Sequence, residues 1–327
     1  MHIPENYLSP ATCAVMTAAM VPVWHHAIKR INTDIPKEKI PMIGVGAAFS
    51  FLGMMFNVPL LGGTTGHAVG GTLIALLFGP DAACLAVSIA LLLQAVIFGD
   101  GGILSFGANC FNMAFVLPYV GYAIYKLIVR FNEKGQYAAA AIGSYIGINV
   151  AAFCAAVEFG IQPMLFKDAA GNALYCPYDL SVSIPAMMLS HLAVAGVVEA
   201  VFTVAIFAFV RKMAPDLIVG DVQANSKKPI PVFALIAVLV AATPLGLLAT
   251  GTAWGEWGAE ELLEQGVSPA GITEGWSLET IMPDYGLSGM GEIPAYILSA
   301  IIGVALLIII FKLLAIVMKG KEEEYAS

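Results

Sequence analysis

The chain opens Met1-His2-Ile3-Pro4, and if these residues stand at the terminus of the mature protein they form a metal chelate. A free α-amine, the His2 amide nitrogen and the His2 imidazole Nδ1 reach one ion together, closing adjacent five- and six-membered rings. One more imidazole completes a square of four nitrogens, the coordination that suits Ni(II) or Cu(II). The opening has neither a basic leader nor an apolar core with a small-residue exit site, so a removed signal peptide is not expected. The bulk of His2 is expected to block methionine removal, whereas a retained formyl group would cap the amine.

The fourth donor is sought in Gly62-Gly63-Thr64-Thr65-Gly66-His67-Ala68-Val69-Gly70-Gly71-Thr72. Gly62, Gly66 and Gly70 are four apart, so a helix here would present one smooth face to a neighbouring backbone. His67 then projects into a pocket between helices, as ion sites in membranes require. The plainer reading is a packed, hydrogen-bonded histidine. The candidate metal ligands are therefore Met1, His2 and His67.

A second polar cluster runs from Gly99 to Met113. Metal-bound imidazoles usually donate their second nitrogen to an oxygen. Asp100, Ser105, Asn109 and Asn112 can supply that oxygen or line the entry route. Loop capping, with Ser105 and Asn109 starting a helix, explains them equally well. Glu158, His191 and Glu199 lie inside apolar runs, where ionisable groups are costly. Structural pairing comes first for them, and substrate passage second. His25 and His26 sit at the inner end of the first span and read as interfacial.

Composition says what must position these groups. The 327 residues are 59% hydrophobic and only 12% charged, about half the ~25% charged content usual in soluble domains. Mean hydropathy is +0.84. The fold class expected is all-α: a polytopic membrane helix bundle, since helices rather than a barrel suit such long apolar runs. Nine membrane segments are read, at 8–28, 40–61, 64–80, 82–98, 105–125, 137–160, 185–210, 229–248 and 293–315. The third and fourth are short enough to be tilted or re-entrant.

With the N-terminus outside, fourteen of the fifteen Lys and Arg fall in inner loops, and only Lys167 falls outside. The positive-inside rule supports this orientation: N-terminus extracytoplasmic, C-terminus cytoplasmic, in the cell membrane. Residues 250–292 carry eight acidic residues and no Lys or Arg. They are expected to form a small cap anchored by Trp254, Trp257 and Trp276. Its charge can concentrate cations, although a solvated loop accounts for it as simply. A polar seam near 213–228 divides a seven-helix unit (1–212) from a two-helix unit (229–327).

Other classes are disfavoured. A net charge of −8 argues against nucleic acid as a partner. The five cysteines are scattered singly and signal neither a zinc nor a dithiol site. No phosphate-binding Gly-x-x-x-x-Gly-Lys-Ser/Thr loop occurs, so no bound nucleotide is expected in this chain. Zinc-protease and serine-hydrolase motifs are also missing.

On these residues the sequence resembles the CbiM/NikM family, the substrate-specificity subunits of energy-coupling factor transporters for nickel and cobalt. The match rests on Met1-His2-Ile3-Pro4 with Leu8-Ser9-Pro10, Thr64-Thr65-Gly66-His67, Gly107-Ala108-Asn109 with Asn112-Met113-Ala114, and His191-Leu192 with Glu199. The resemblance implies metal bound by the Met1 amine, the His2 amide and imidazole, and His67. The C-terminal unit, with Pro244-Leu245-Gly246-Leu247 leading into Gly251-Thr252-Ala253-Trp254-Gly255-Glu256, looks like the two-helix N component of the same systems, here fused.

The resemblance further implies uptake of Ni(II) or Co(II) as transported substrate, a transmembrane coupling (T/Q) subunit and a pair of ABC ATPases. It makes the chain a transporter subunit rather than an enzyme. Ala14 and Ala18 in the first span are a possible docking face for the coupling subunit. The rival readings are a self-sufficient channel or secondary transporter and, less favoured, a membrane metalloenzyme. The first lacks a continuous charged pathway. The second lacks an open coordination position for substrate water.

Overall fold

Ser9 and Pro10 fix where the first helix begins. The Ser9 hydroxyl accepts from the Thr12 amide at 3.1 Å, and Pro10 occupies the first helical position, where its missing N–H costs nothing. The computed structural model describes residues 1–60, 64–218 and 230–326. Helix α1 (Pro10–Asp34) is followed by α2 (Ile40–Met55), a small antiparallel pair of β1 (Val58–Pro59) and β2 (Thr65–Gly66), and α3 (Gly71–Phe78). Then come α4 (Pro80–Leu93), α5 (Phe106–Asn109), α6 (Leu117–Phe131), α7 (Gln136–Gly160) and α8 (Gln162–Leu165). The second half holds α9 (Leu180–Ser190), α10 (Gly196–Met213), α11 (Ile230–Ala242), α12 (Ala259–Glu264), α13 (Ala270–Thr273) and α14 (Glu292–Ala326).

The chain is a polytopic helix bundle, as the composition requires. Among the described residues seven helices are long and apolar enough to cross a membrane. They correspond to seven of the nine expected segments. The other two differ. Helix α2 has 16 residues and α3 only eight, about 24 and 12 Å at 1.5 Å per residue. The expected span 64–80 is therefore extended backbone followed by a half-length helix. Gly70, at φ 72°, starts that helix, and Gly79, at φ 91° before Pro80, ends it. Non-helical backbone survives at such depth only when protein surrounds it. That condition holds, because Thr64 to Phe78 is buried throughout. The glycine-striped helix expected from Gly66 to Gly70 does not form, and Gly62 lies outside the described residues.

Glycines set the closest packing. A Cβ on Gly143 would stand 2.5 Å from the Gly121 carbonyl, and one on Gly147 would stand 2.6 Å from the Leu117 carbonyl. Helices α6 and α7 thus touch backbone to backbone. Helix α14 packs along α2, and the ring of Phe51 fills the place a side chain on Gly303 would need. The C-terminal unit is joined to the N-terminal one through this helix pair. The seam at 213–228 falls mostly outside the described residues.

Among the described residues three helices carry a π turn: Gln94–Phe98, Cys110–Val116 and His191–Ala195. Such turns insert one residue and re-aim the side chains around it. Each contains a buried polar residue, Gln94, Asn112 or His191.

Candidate metal centre

The first nine residues fold inward. Met1, His2, Ile3, Tyr7, Leu8 and Ser9 are all buried. Their backbone polar groups need partners at that depth, and five come from the rest of the chain. Asn109 takes Ile3 on both sides, accepting from its N–H at 2.7 Å and donating to its carbonyl at 3.0 Å. The Ser105 hydroxyl and the Gly102 amide donate to the same carbonyl at 2.6 and 2.9 Å. Gln162 accepts from the Ser9 amide at 3.0 Å, and the Cys176 amide donates to the Tyr7 carbonyl at 3.0 Å. In return the Glu5 carboxylate accepts from the amides of Ile103 and Leu104. Gly102 is required here: a Cβ would stand 2.7 Å from the Glu5 backbone.

This clamp holds His2 against His67. His67 Nε2 lies 3.2 Å from His2 Nδ1, and both rings are buried. His67 Nδ1 faces the Ala68 carbonyl at 3.2 Å. The Met1 ammonium donates to Glu256 at 2.5 Å, and Asp100 Oδ1 lies 3.1 Å from His2 Nδ1. Burial, and next to it the neighbouring ammonium, push the His2 pKa down to about 4. The imidazole is thus neutral at pH 7, the form that binds metal. Burial raises Asp100, while the Tyr285 hydroxyl opposes the shift. A cavity of about 480 Å³ opens beside His2 and His67, with Asp100, Glu256, Asp284 and Glu292 in its wall.

Among the described residues no group of three or more His, Cys, Asp or Glu side chains converges to hold a metal ion. Side chains alone therefore do not make a centre. The amine and amide of the first two residues, added to the two imidazoles, do supply enough donors.

The other candidates divide. Asp100 adjoins His2, and Ser105 and Asn109 hold Ile3 rather than starting a helix with their side chains. Asn112 lies elsewhere and donates to Glu158 at 2.9 Å. The π turn from Cys110 rotates it off the Asn109 face. His191 and Glu199 have separate partners: His191 Nδ1 faces the Met187 carbonyl at 2.8 Å, while the Glu199 carboxylate accepts from the amides of Val69 and Gly70 at 2.7 and 3.0 Å. Glu199 thus anchors the segment that carries His67. His26 approaches Asp81 at 3.7 Å at the opposite end.

Replacing Glu199 by leucine strands the two buried amides, at about 1–3 kcal/mol each. Glu199→Leu should lower the thermal unfolding temperature and loosen His67, and Glu199→Gln, which keeps an acceptor, should recover part of the loss. Equal unfolding temperatures for Leu and wild type would refute the anchoring role.

Sequence reasoning missed Glu256, Gln94 and Tyr285 as neighbours of the site. Glu256 was visible only as one of many acids in the cap. That cap is ordered, with short helices α12 and α13. Its Thr252 carbonyl accepts from Thr64, and its Trp276 carbonyl accepts from Asn6. Trp254 and Trp257 do not reach outward as anchors. They pack with Tyr178, and Trp254 also meets Phe159, with centroids 5.4–6.1 Å apart. Of the three indoles only Trp276 is exposed.

Comparison with known proteins points the same way. The family model for the cobalt uptake substrate-specific transmembrane region, CbiM, matches residues 2–217, and a PDGLE domain matches 227–320. The chain is 48% identical over 321 residues to a probable fused nickel transport protein, LarMN, of Lactiplantibacillus plantarum, covering 95% of this chain and 97% of that one. It is 45% identical to the fused nickel transport protein NikMN of Rhodobacter capsulatus, covering 94% and 95%. A crystal structure of a truncated transition metal transporter superposes with a TM-score of 0.62 at 54% identity, covering 65% of this chain and 99% of that one.

Proposed function

The chain belongs to the CbiM family, and on that premise we propose that it is the substrate-binding subunit of an energy-coupling factor transporter that takes up Ni(II) or Co(II). The metal is held by four nitrogens: the Met1 amine, the His2 amide, His2 Nδ1 and His67 Nε2. One observation carries the reading, the 3.2 Å separation of His2 Nδ1 and His67 Nε2 beside the buried amine. Metal–imidazole bonds of about 2.0–2.1 Å put adjacent corners of a square about 2.9 Å apart, so a few tenths of an ångström of closure suffices. Four nitrogens in a plane favour nickel over cobalt as the cargo.

In this reading the end bearing Met1 and the acidic cap is extracytoplasmic. Lys29, Arg30, Lys37, Lys39, Lys126, Arg130, Lys134, Arg211 and Lys212 cluster at the other ends of their helices, in keeping with that orientation. Residues 1–212 are the metal-binding unit, 213–228 a cytoplasmic linker and 229–327 the N-like unit. A coupling subunit and a pair of ABC ATPases supply the energy. Ala14 and Ala18, both outward-facing, suit close helix docking.

The test is the metal content of the purified chain with the visible spectrum of the bound ion. A low-spin Ni(II) band supports the square, whereas an octahedral spectrum contradicts it. The pH dependence is a further expectation. Metal must displace one proton from the ammonium and one from the amide. The His2 imidazole adds none until the pH nears 4, because it is already neutral. Nickel affinity should therefore fall about a hundredfold per pH unit between pH 7 and 6. A titration giving tenfold or less would remove either the amine or the amide from the ligand set.

A further inference from the structure

Gln94 lies fully buried in the π turn that ends the α4 span. Its amide nitrogen is spent in one direction. Nε2 donates to Asp100 Oδ2 at 3.0 Å and to the Tyr285 hydroxyl oxygen at 2.8 Å. The amide is thereby fixed, and its carbonyl must point the opposite way. That carbonyl, Oε1, is buried and unpartnered. A buried orphan acceptor is costly and calls for an explanation.

Asp100 joins Gln94 to His2, with Oδ2 on the Gln94 amide nitrogen and Oδ1 3.1 Å from His2 Nδ1, and among the described residues His2 Nε2 is also buried without a partner. The two orphans complement each other only in one state of the ring. Without metal, His2 Nδ1 is engaged with Asp100 and His67 at 3.1 and 3.2 Å. A neutral imidazole carries one N–H. With that proton on Nδ1, Nε2 and the Gln94 carbonyl are both acceptors, and neither can satisfy the other. With a metal on Nδ1 the proton must sit on Nε2, and it then meets a carbonyl already held in place. This is a shift of the proton within a neutral ring, without any change of charge.

We propose that Gln94 is the positioning residue that accepts the Nε2–H of His2 when metal occupies Nδ1, and that Tyr285 of the C-terminal unit sets the Gln94 amide. The inference rests on the Nδ1 chelate of the proposed function. Tyr285 is itself well held. Its hydroxyl donates to Asp100 at 2.5 Å, its carbonyl accepts from Ser299 at 2.8 Å, and its ring stacks on Phe98 at 4.8 Å. The second unit thereby acts on a ligand of the first through a contact, Tyr285 to Gln94, that spans 191 residues of sequence. Metal-bound imidazoles depend on such partners for ring orientation and basicity.

The experiment uses the full chain with nickel alone as the probe, in wild type, Gln94→Leu, Tyr285→Phe and His67→Ala. Nickel titrations are read together with histidine-selective nitrogen NMR of the diamagnetic Ni(II) form. Wild type should show a hydrogen-bonded His2 Nε2–H. Gln94→Leu should lose that signal and about ten- to a hundredfold in affinity, and Tyr285→Phe should weaken both. Wild-type affinity in Gln94→Leu, while His67→Ala abolishes binding, would overturn the inference and leave the chelate standing. Full affinity in His67→Ala would instead overturn the chelate. If Gln94→Leu does not fold, the wild-type spectrum decides, since a missing hydrogen-bonded Nε2–H refutes the role by itself.

Discussion

A histidine-free extension of about ten residues ahead of Met1 should abolish tight nickel binding while leaving the helix bundle intact. The extension converts the amine into a peptide nitrogen and removes the charge that pairs with Glu256. It also has no room: Met1 is 7% exposed, Ile3 is fully buried, and Ile3 is gripped on both its N–H and its carbonyl. The opening residues would have to leave their groove to let the added chain out. The loss should be at least a thousandfold, or about 4 kcal/mol, matched by His67→Ala and not by an extension at the C-terminus. A nickel titration that finds the extended chain within tenfold of wild type would eliminate the terminal amine as a ligand. The spectrum should change in parallel, because one strong in-plane nitrogen is lost.

The second large effect belongs to Asn109, which touches no proposed donor atom. Asn109→Leu keeps the branched shape but strands the buried Ile3 amide, whereas the Ile3 carbonyl retains Ser105 and Gly102. One unsatisfied amide and two lost hydrogen bonds should cost about 2–4 kcal/mol. That cost falls on docking of residues 1–5 more than on the helices around them. If only one molecule in a hundred keeps the segment seated, apparent affinity falls about a hundredfold. Nickel titration and amide exchange at Ile3 would report both sides of this. Asn112→Leu is the control: its partner is Glu158, so it should destabilise the bundle without that loss of affinity. Equal nickel affinities for Asn109→Leu and Asn112→Leu would discount the clamp.

Much of the bundle was legible because long apolar runs have one solution in a bilayer, and seven helices follow from them directly. The run 64–80 was equally apolar but is only half helix. Hydropathy registers burial, and here burial in protein replaces burial in lipid. The glycines at 70 and 79, both at positive φ, are what divide it, and their conformation is not written in composition. In the candidate site, chemistry singled out Met1, His2 and His67 in the sequence, and the fold brings His2 and His67 within 3.2 Å. The fate of Asn112 was not. Three-residue spacing puts it beside Asn109 on a regular helix, and a π turn at Cys110 removes it. Glu199 was visible as a costly buried acid, but its targets are two main-chain amides 129 and 130 residues away, which no side-chain pattern advertises. Gln94 and Tyr285 were hidden for the same reason.

The contact between Met1 and Glu256 spans 255 residues, and this has a consequence for biosynthesis. At roughly 5–20 residues per second, the Met1 amine waits on the order of ten to fifty seconds before its carboxylate partner exists. During that interval the amine lacks its carboxylate partner and the cap is not yet made, so any enzyme that trims or unmasks the amine acts then. Once the cap closes over residues 1–5, the amine is sealed from such enzymes. The order of synthesis therefore places any processing of that amine ahead of the arrival of the cap.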